Sequence, residues 1–333
     1  MLKSKISKIL FLKIIFKPLN LLINKIIRKS KIFLIWRSGK AIGDQVLMAG
    51  FAKSLYLKYK NPIIVLTDYP EIISLSPWVL KTIAIKKIIF WRIIYYFLKI
   101  SEGERIIEYN FPYRKYGFSS HLNAYQSGFY EILNKPPIWH AHVADRFDKE
   151  IFKDFSGGLE KSSKKDAFLI IKNIRKRFNN HKIGIINPIG KSSYTKVKVY
   201  GFDNYQKIIN FTKYKILWIQ VGKKEDRKLK YLHLNLSGKS LDFLVDIIYL
   251  SDLVLSDEGL LNHIAGSFPW INSYVSYSDF SPINYYSYKN TITLGKPKKL
   301  KHKIKFWEED FDEKLIKTPP LKIANEILSN EFK

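Results

Sequence analysis

Short apolar runs of strand length recur along this chain, each followed by a turn and a helical pattern, and few folds accommodate that rhythm. Residues 31–36 (KIFLIW) form a nearly unbroken apolar run, which marks a strand covered on both faces rather than one that alternates between core and solvent. A turn from Arg37 to Asp44 follows. A helical pattern then covers residues 46–59, with Val46, Leu47, Phe51, Leu55 and Leu57 as core positions, and residues 62–67 (PIIVLT) give the next strand. Strand, loop, helix, strand is the opening of a doubly wound parallel sheet.

The rhythm restarts in the second half. Residues 182–187 (KIGIIN) read as a strand, 188–200 as a long polar loop, 202–211 as a helix and 216–221 (ILWIQV) as a strand. A helix over 241–250, a strand over 252–256, a helix from about Leu260 and a strand over 271–275 continue it, and residues 317–333 form a last helix. The region between the halves is less regular. Residues 86–90 and 105–109 read as strands, 92–100 as a helix or a strand, 121–133 and 167–177 as helices. Residues 156–165 (SGGLEKSSKK) have the composition of a linker.

A chain of 333 residues suits two α/β domains of ordinary size. The expected organisation is a segment over 1–30, an N-terminal Rossmann-like domain over 31–165, a C-terminal one over 166–316, and a helix over 317–333 that packs back on the N-terminal domain. The absence of cysteine excludes disulfides, thiolate zinc sites and a cysteine nucleophile, and fits a reducing compartment. The net charge of +28 comes mostly from lysine. The accompanying wealth of Ile, Asn and Tyr makes codon bias one source of it. An anionic membrane face, an anionic substrate and nucleic acid are the functional readings.

Residues 1–30 carry Leu10, Phe11, Ile14, Ile15, Phe16, Leu19, Leu21, Leu22, Ile26 and Ile27 among eight basic side chains. Lys13 and Lys17 interrupt the stretch, so no uncharged run approaches the roughly 20 residues a membrane span needs. No small-residue cleavage site follows it. Lys3, Lys13, Lys17, Lys25 and Arg28 share one arc of a helical wheel, and Pro18 would kink the helix. The expectation is an imperfect amphipathic helix lying on an anionic leaflet, which puts the protein in the cytoplasm, peripheral on the inner face of the cytoplasmic membrane. The alternative is a helix packed on the protein's own surface.

Three stretches carry chemistry. In the Arg37–Asp44 turn, Gly39 and Gly43 shape a strand-to-helix turn that is neither a Walker A loop nor GxGxxG. Asp44 stands where the helix starts, where a carboxylate either caps free N–H groups or accepts a proton from a hydroxyl. Residues 256–265 (SDEGLLNHIA) follow a strand and open a helix. Gly259 admits close backbone approach there, and His263 lies one turn in, so the stretch suits either a pyrophosphate or an acidic cap with a packed histidine. The loop over 190–198, with Ser192, Ser193 and Lys198, offers hydroxyls and ammonium groups to phosphate oxygens, or is simply a solvated basic loop.

Together the three stretches resemble glycosyltransferase family 9, the ADP-heptose:lipopolysaccharide heptosyltransferases. The N-terminal signature is matched by Arg37, Ile42-Gly43-Asp44, Val46 and Leu47. Asn187-Pro188, Ser192/Ser193, Lys198, Tyr200 and Tyr205 match the middle one, and Glu258, His263 and Ala265 the C-terminal one. Ser237-Gly238-Lys239-Ser240-Leu241 resembles a further turn of the family.

The resemblance implies a GT-B fold, two Rossmann-like domains facing a cleft. It implies an inverting, metal-independent transfer of heptose or a related sugar from a nucleotide-diphosphate donor, ADP-heptose among the donors, to a membrane-anchored glycan of the lipopolysaccharide kind in a bacterium. No cofactor is implied. Asp44 would be the general base, with Arg37 and Gly43 on the phosphate and acceptor side. Lys198, Ser192, Ser193 and the backbone near Gly259 and Leu260 would hold the diphosphate, and Glu258, His263 and Glu225 the nucleotide or sugar. The chain departs from the family in having Glu258-Gly259-Leu260 where Asp-[Ser/Thr]-Gly is common, with Asp257 competing for the acidic position, and Tyr200 and Tyr205 where Trp is usual. Residues 80–150 are unlike the family's acceptor side.

Other classes are a family member without catalysis that binds carbohydrate or acts as a scaffold, a nucleic-acid-binding protein, and a zinc enzyme built on His140 and His142. Retention of Asp44, Lys198 and His263 argues against the first. The basic residues are dispersed with no nucleic-acid motif among them, and the His140–His142 pair lacks further ligands at metal-site spacing.

Overall fold

The computed structural model describes residues 17–18, 21–37, 42–101, 105–109, 156–162, 165–189, 199–276, 288–294 and 318–333. The first unit is a parallel sheet of β1 (Phe33–Arg37), β2 (Ile63–Thr67), β3 (Lys81–Ala84) and β4 (Ile106–Glu108) in the order β3-β2-β1-β4. Residues 21–30 form a helix, α1, ahead of β1. The helices α2 (Ile42–Tyr59), α3 (Pro70–Ile73) and α4 (Trp91–Ser101) lie between the strands. Successive side chains of a strand point to opposite faces. Phe33 and Ile35 therefore join Val46, Leu47 and Phe51 of α2 on one face. Leu34 and Trp36 meet Ile23 and Ile27 of α1, and Ile94, Tyr95 and Leu98 of α4, on the other.

One expectation for this unit is corrected. The strand expected over 86–90 is a 3-10 turn (Ile85–Lys87) leading into α4. The true strand lies earlier, at Lys81–Ala84, where an exposed lysine at its start hides it from an apolar-run reading. The stretch over 92–100 is helical. The helix expected over 121–133 lies outside the described residues.

The second unit is a parallel sheet of β5 (Lys182–Ile186), β6 (Ile216–Gln220), β7 (Leu234–Asn235), β8 (Leu253–Asp257), β9 (Asn272–Ser276) and β10 (Thr291–Leu294), ordered β10-β9-β8-β5-β6-β7. Its helices are α5 (Asp166–Arg177), α6 (Phe202–Thr212), α7 (Leu241–Tyr249), α8 (Leu260–Ala265) and α9 (Pro320–Glu331). The last helix was expected to fold back on the first unit. Instead Ile323, Ala324 and Ile327 pack with Ile208, Ile209 and Trp218 of the second. Glu331 at its end accepts hydrogen bonds from Asn272 Nδ2 (2.7 Å) and the Tyr274 hydroxyl (2.9 Å). An apolar stripe with period 3.6 finds the nearest uncovered sheet face, which here belongs to its own unit.

The units share one core. Ile35, Val46 and Phe51 of the first are continuous with Ile185, Leu261, Ile264 and Phe268 of the second. Residues 156–162 cross this seam without regular secondary structure. Gly157 N–H donates to Gly266 O (2.8 Å), Leu159 N–H to Ser267 Oγ (3.2 Å) and Glu160 N–H to Leu75 O (2.8 Å). A Cβ on Gly158 would collide with the Ala49 carbonyl, and one on Gly157 with Ser267. These glycines are required by close packing and not by flexibility. Helix α2, with Ala49, Gly50 and Ala52 on the approached side, is accordingly buried on nearly all sides over its first three turns.

Candidate functional site

In an open parallel sheet, ligands bind beyond the carboxyl ends of the strands where the strand order reverses. In the first sheet that point is β1, flanked by β2 on one side and β4 on the other. In the second it falls at β5 and β8, because β6 and β8 flank β5. The turn after β1 and the turn after β8 are two of the three stretches that the sequence marks as chemical, and the third follows β5.

Arg37 closes β1, and Asp44 stands in the first turn of α2. The guanidinium Nη2 is ion-paired with Asp44 Oδ2, while Nη1 donates to the Tyr109 carbonyl oxygen (2.9 Å). Their side chains are only 10% and 15% exposed, so the pair is largely desolvated yet reachable. Helix α2 is held at this edge by Gln45, whose Oε1 accepts from Thr67 Oγ1 at the end of β2 (2.6 Å), both residues fully buried. Burial, with the nearby Asp44 and Tyr288 adding to it against Arg37, raises the Tyr109 phenol well above its ordinary pKa.

Opposite lies the turn after β8. Glu258 and His263 are both buried, with Oε1 3.2 Å from Nε2, and His263 Nδ1 is 3.0 Å from the Tyr288 hydroxyl. An ionised carboxylate only accepts, so a proton on Nε2 satisfies the contact with Glu258, and the Tyr288 hydroxyl shares a hydrogen bond with Nδ1. Burial, and after it the charge of Glu258, holds the Tyr288 phenol well above its ordinary pKa, so the phenol keeps its proton. Tyr288 lies in a Tyr/Ser-rich stretch with no spacing signal, and the sequence did not mark it.

Asp257 and Glu258 have different partners. Asp257 Oδ1 accepts from Tyr200 N–H (3.1 Å) and from the buried Tyr205 hydroxyl (2.6 Å), which ties β8 to the start of α6. Glu258 is the carboxylate that meets His263. Tyr200 and Tyr205 stand edge to face with centroids 5.5 Å apart, and the Tyr200 hydroxyl donates to Thr318 O (2.5 Å), so both serve packing.

Gly43 brings the two turns together. A Cβ built on it would stand 3.1 Å from His263 Cδ2 and 3.6 Å from the Leu260 nitrogen. Gly259 is different: its backbone is extended and a Cβ there would meet nothing within 4 Å. Among the described residues no packing demands that glycine, which leaves its backbone, next to Leu260, uncovered by their side chains. Glu225 is exposed in the turn after β6, two strand spacings or about 10 Å from β8. It shares the sheet edge without joining the Glu258–His263 pair. Ser192, Ser193 and Lys198 lie outside the described residues, as do His140 and His142. Asn187 starts their loop, its Oδ1 accepting from Ile189 N–H (3.1 Å). Among the described residues no three His, Cys, Asp or Glu cluster as a metal site.

No family model matches the sequence, and no curated protein matches it. Solved structures do. A family 9 glycosyl transferase from Veillonella parvula aligns with a TM-score of 0.61 at 13% identity, over 90% of this chain and 98% of that one. The ADP-heptose lipopolysaccharide heptosyltransferase II of E. coli aligns at 0.56 and 12% identity, over 89% and 98%. The iron-containing dodecameric heptosyltransferase TibC, in complex with ADP-D-β-D-heptose, aligns at 0.51 and 8% identity, over 90% and 75%. At such identities the likeness is one of fold, and it agrees with the two parallel sheets and facing switch points: this chain has the GT-B architecture of the heptosyltransferases, two Rossmann-like units meeting at a cleft.

Proposed function

We propose that the protein is an inverting glycosyltransferase that moves a sugar from a nucleotide-diphosphate donor onto a membrane-anchored glycan. One observation carries the reading: an accessible carboxylate at the switch point of one sheet faces a buried Glu–His pair and a bare glycine turn at the switch point of the other. Asp44 Oδ2 is held by Arg37, which leaves Oδ1 to accept the proton of an acceptor hydroxyl. That oxygen attacks the anomeric carbon as the bond from this carbon to the diphosphate breaks, the nucleoside diphosphate leaves with the electron pair, and the configuration inverts. Lys198, Ser192 and Ser193 hold the diphosphate with the backbone at Gly259 and Leu260 and offset its growing charge. Glu258, kept in place by His263, contacts the nucleotide or sugar, with Glu225 at the outer rim.

Heptose carried on ADP is the favoured donor, because TibC, of the same architecture, holds ADP-D-β-D-heptose. The reading places the enzyme on the inner face of the cytoplasmic membrane of a bacterium, in lipopolysaccharide or related glycan synthesis, without a catalytic metal. The test is a thermal-shift series with ADP, GDP, UDP and ADP-heptose, followed by transfer assays with and without EDTA. A selective shift by one nucleotide with EDTA-resistant transfer supports it. Binding without turnover would favour a carbohydrate-binding relative, and loss of turnover in EDTA would remove the metal-free mechanism.

A further inference from the structure

The outer face of the first sheet is covered by two helices whose own outward sides are apolar. On α1, Ile23 and Ile27 pack inward against Trp36 and Leu98, while Leu21, Leu22 and Ile26 are each more than half exposed. Just before and within α4, Ile94 and Tyr95 pack into the same cluster, while Ile89 (90% exposed), Phe90 and Ile93 face out. Scattered exposed leucines are ordinary; two neighbouring elements presenting six large apolar side chains on one face are not.

The segments that build this face carry charge of one sign. Residues 1–43 and 72–101 contain no Asp or Glu, and Lys25, Arg28, Lys29, Lys86, Lys87 and Arg92 are exposed among the apolar side chains. Lys86 reaches Asp68, and the Arg92 guanidinium stacks on the Trp91 ring 5.7 Å away, an arrangement that suits a membrane interface. A protein partner would meet isoleucine and phenylalanine ringed by cations, whereas an anionic bilayer offers hydrocarbon under phosphate.

The face also has a direction. In the parallel register Arg37 pairs with Thr67 and Thr67 with Ala84, so Ile89 and Phe90 come just beyond the strand edge that bears Arg37 and Asp44. A helix that enters β1 through a two-residue turn and packs along that strand's face must run antiparallel to it. Leu21 and Leu22 therefore lie toward the same edge.

We propose that α1 and the Ile89–Ile93 segment form one composite surface that inserts into an anionic phospholipid bilayer and turns the Asp44 edge of the cleft toward the membrane. The docking stands independently of the transferase reading; only the meaning of its orientation, presenting Asp44 to a lipid-borne acceptor, rests on it. The sequence pointed to residues 1–30 alone, and the second element comes from the fold.

The test is cosedimentation of the full chain with vesicles of phosphatidylglycerol and phosphatidylethanolamine, against phosphatidylcholine vesicles. Wild type should pellet with the former only. The double variant Ile89→Asp, Phe90→Asp should lose affinity by about tenfold or more with α1 intact, and its melting temperature should be unchanged because both positions are exposed. Wild type that ignores anionic vesicles, or a double variant that binds them like wild type, would overturn the proposal. So would a concentration-dependent dimer in sedimentation velocity that the double variant abolishes, since a second copy would then cover the face. None of these readouts requires catalysis, so a failed transferase assay leaves them interpretable.

Discussion

Gly43 and His263 touch across the seam between the two units, with room at Gly43 for a hydrogen and little more. The contact sets the distance between Asp44, one residue on, and the Glu258–His263 pair. Gly43→Ala should press its methyl against the imidazole and displace it by a few tenths of an ångström. The protein should fold with a melting temperature close to wild type, while kcat/KM for transfer drops about tenfold through misplacement of the reacting groups. Unchanged kinetics would mean that the seam is slack in the working enzyme.

Asp44→Ala should lower kcat by about a hundredfold or more and leave the donor Kd within about twofold, measured by single-turnover transfer and calorimetry. Normal turnover would remove Asp44 as the base.

Arg37→Ala strands the Asp44 carboxylate in a largely desolvated place and frees the Tyr109 carbonyl. Denaturant unfolding should show a loss of about 3 kcal/mol. The double variant Arg37→Ala, Asp44→Ala should cost less than the sum of the single changes, because no buried charge is left alone. Strict additivity would show that the pair does not interact.

Tyr288→Phe removes the hydroxyl hydrogen-bonded to His263 Nδ1 in a buried site. The expected loss is about 1 kcal/mol of stability, with a donor Kd that rises a few-fold as the imidazole loosens its hold on Glu258. A change in stability with no change in donor affinity would make the Tyr288–His263–Glu258 chain purely architectural.

Lys198→Ala should raise the donor Kd about tenfold and affect kcat less. An unaltered Kd would take Lys198 out of the diphosphate site.

Much of this was legible in the residues. Unbroken apolar runs such as those of β1, β5 and β6 announce parallel strands, and the turns that follow them mark Asp44 and Glu258, while the strand order that puts both at switch points comes from the fold. Edge strands were harder. Lys81–Ala84 and Thr291–Leu294 are only partly covered, so polar residues interrupt the apolar signal. The different partners of Asp257 and Glu258 could not be read from spacing, because Glu258 follows directly on the last residue of β8, and only the fold shows that Asp257 meets Tyr205 while Glu258 meets His263. The meeting of Gly43 with His263 was out of reach for the same kind of reason: periodicity describes each unit's interior and is silent on how two units dock. The Gly157-Gly158 pair misled most directly. Its composition reads as slack, and its role is to let one backbone lie flat against another.

The core that runs unbroken from Phe51 to Phe268 has a thermodynamic consequence. Domains that touch through polar, wet surfaces can melt one at a time, each with its own transition. Here, pulling the sheets apart would wet Leu261, Ile264 and Phe268 together with the flank of α2, so neither half retains a complete interior alone. Heat or denaturant should therefore take both sheets down in a single cooperative step, and a chain severed between Gly157 and Gly158 should yield two sticky fragments rather than a free-standing nucleotide-binding module.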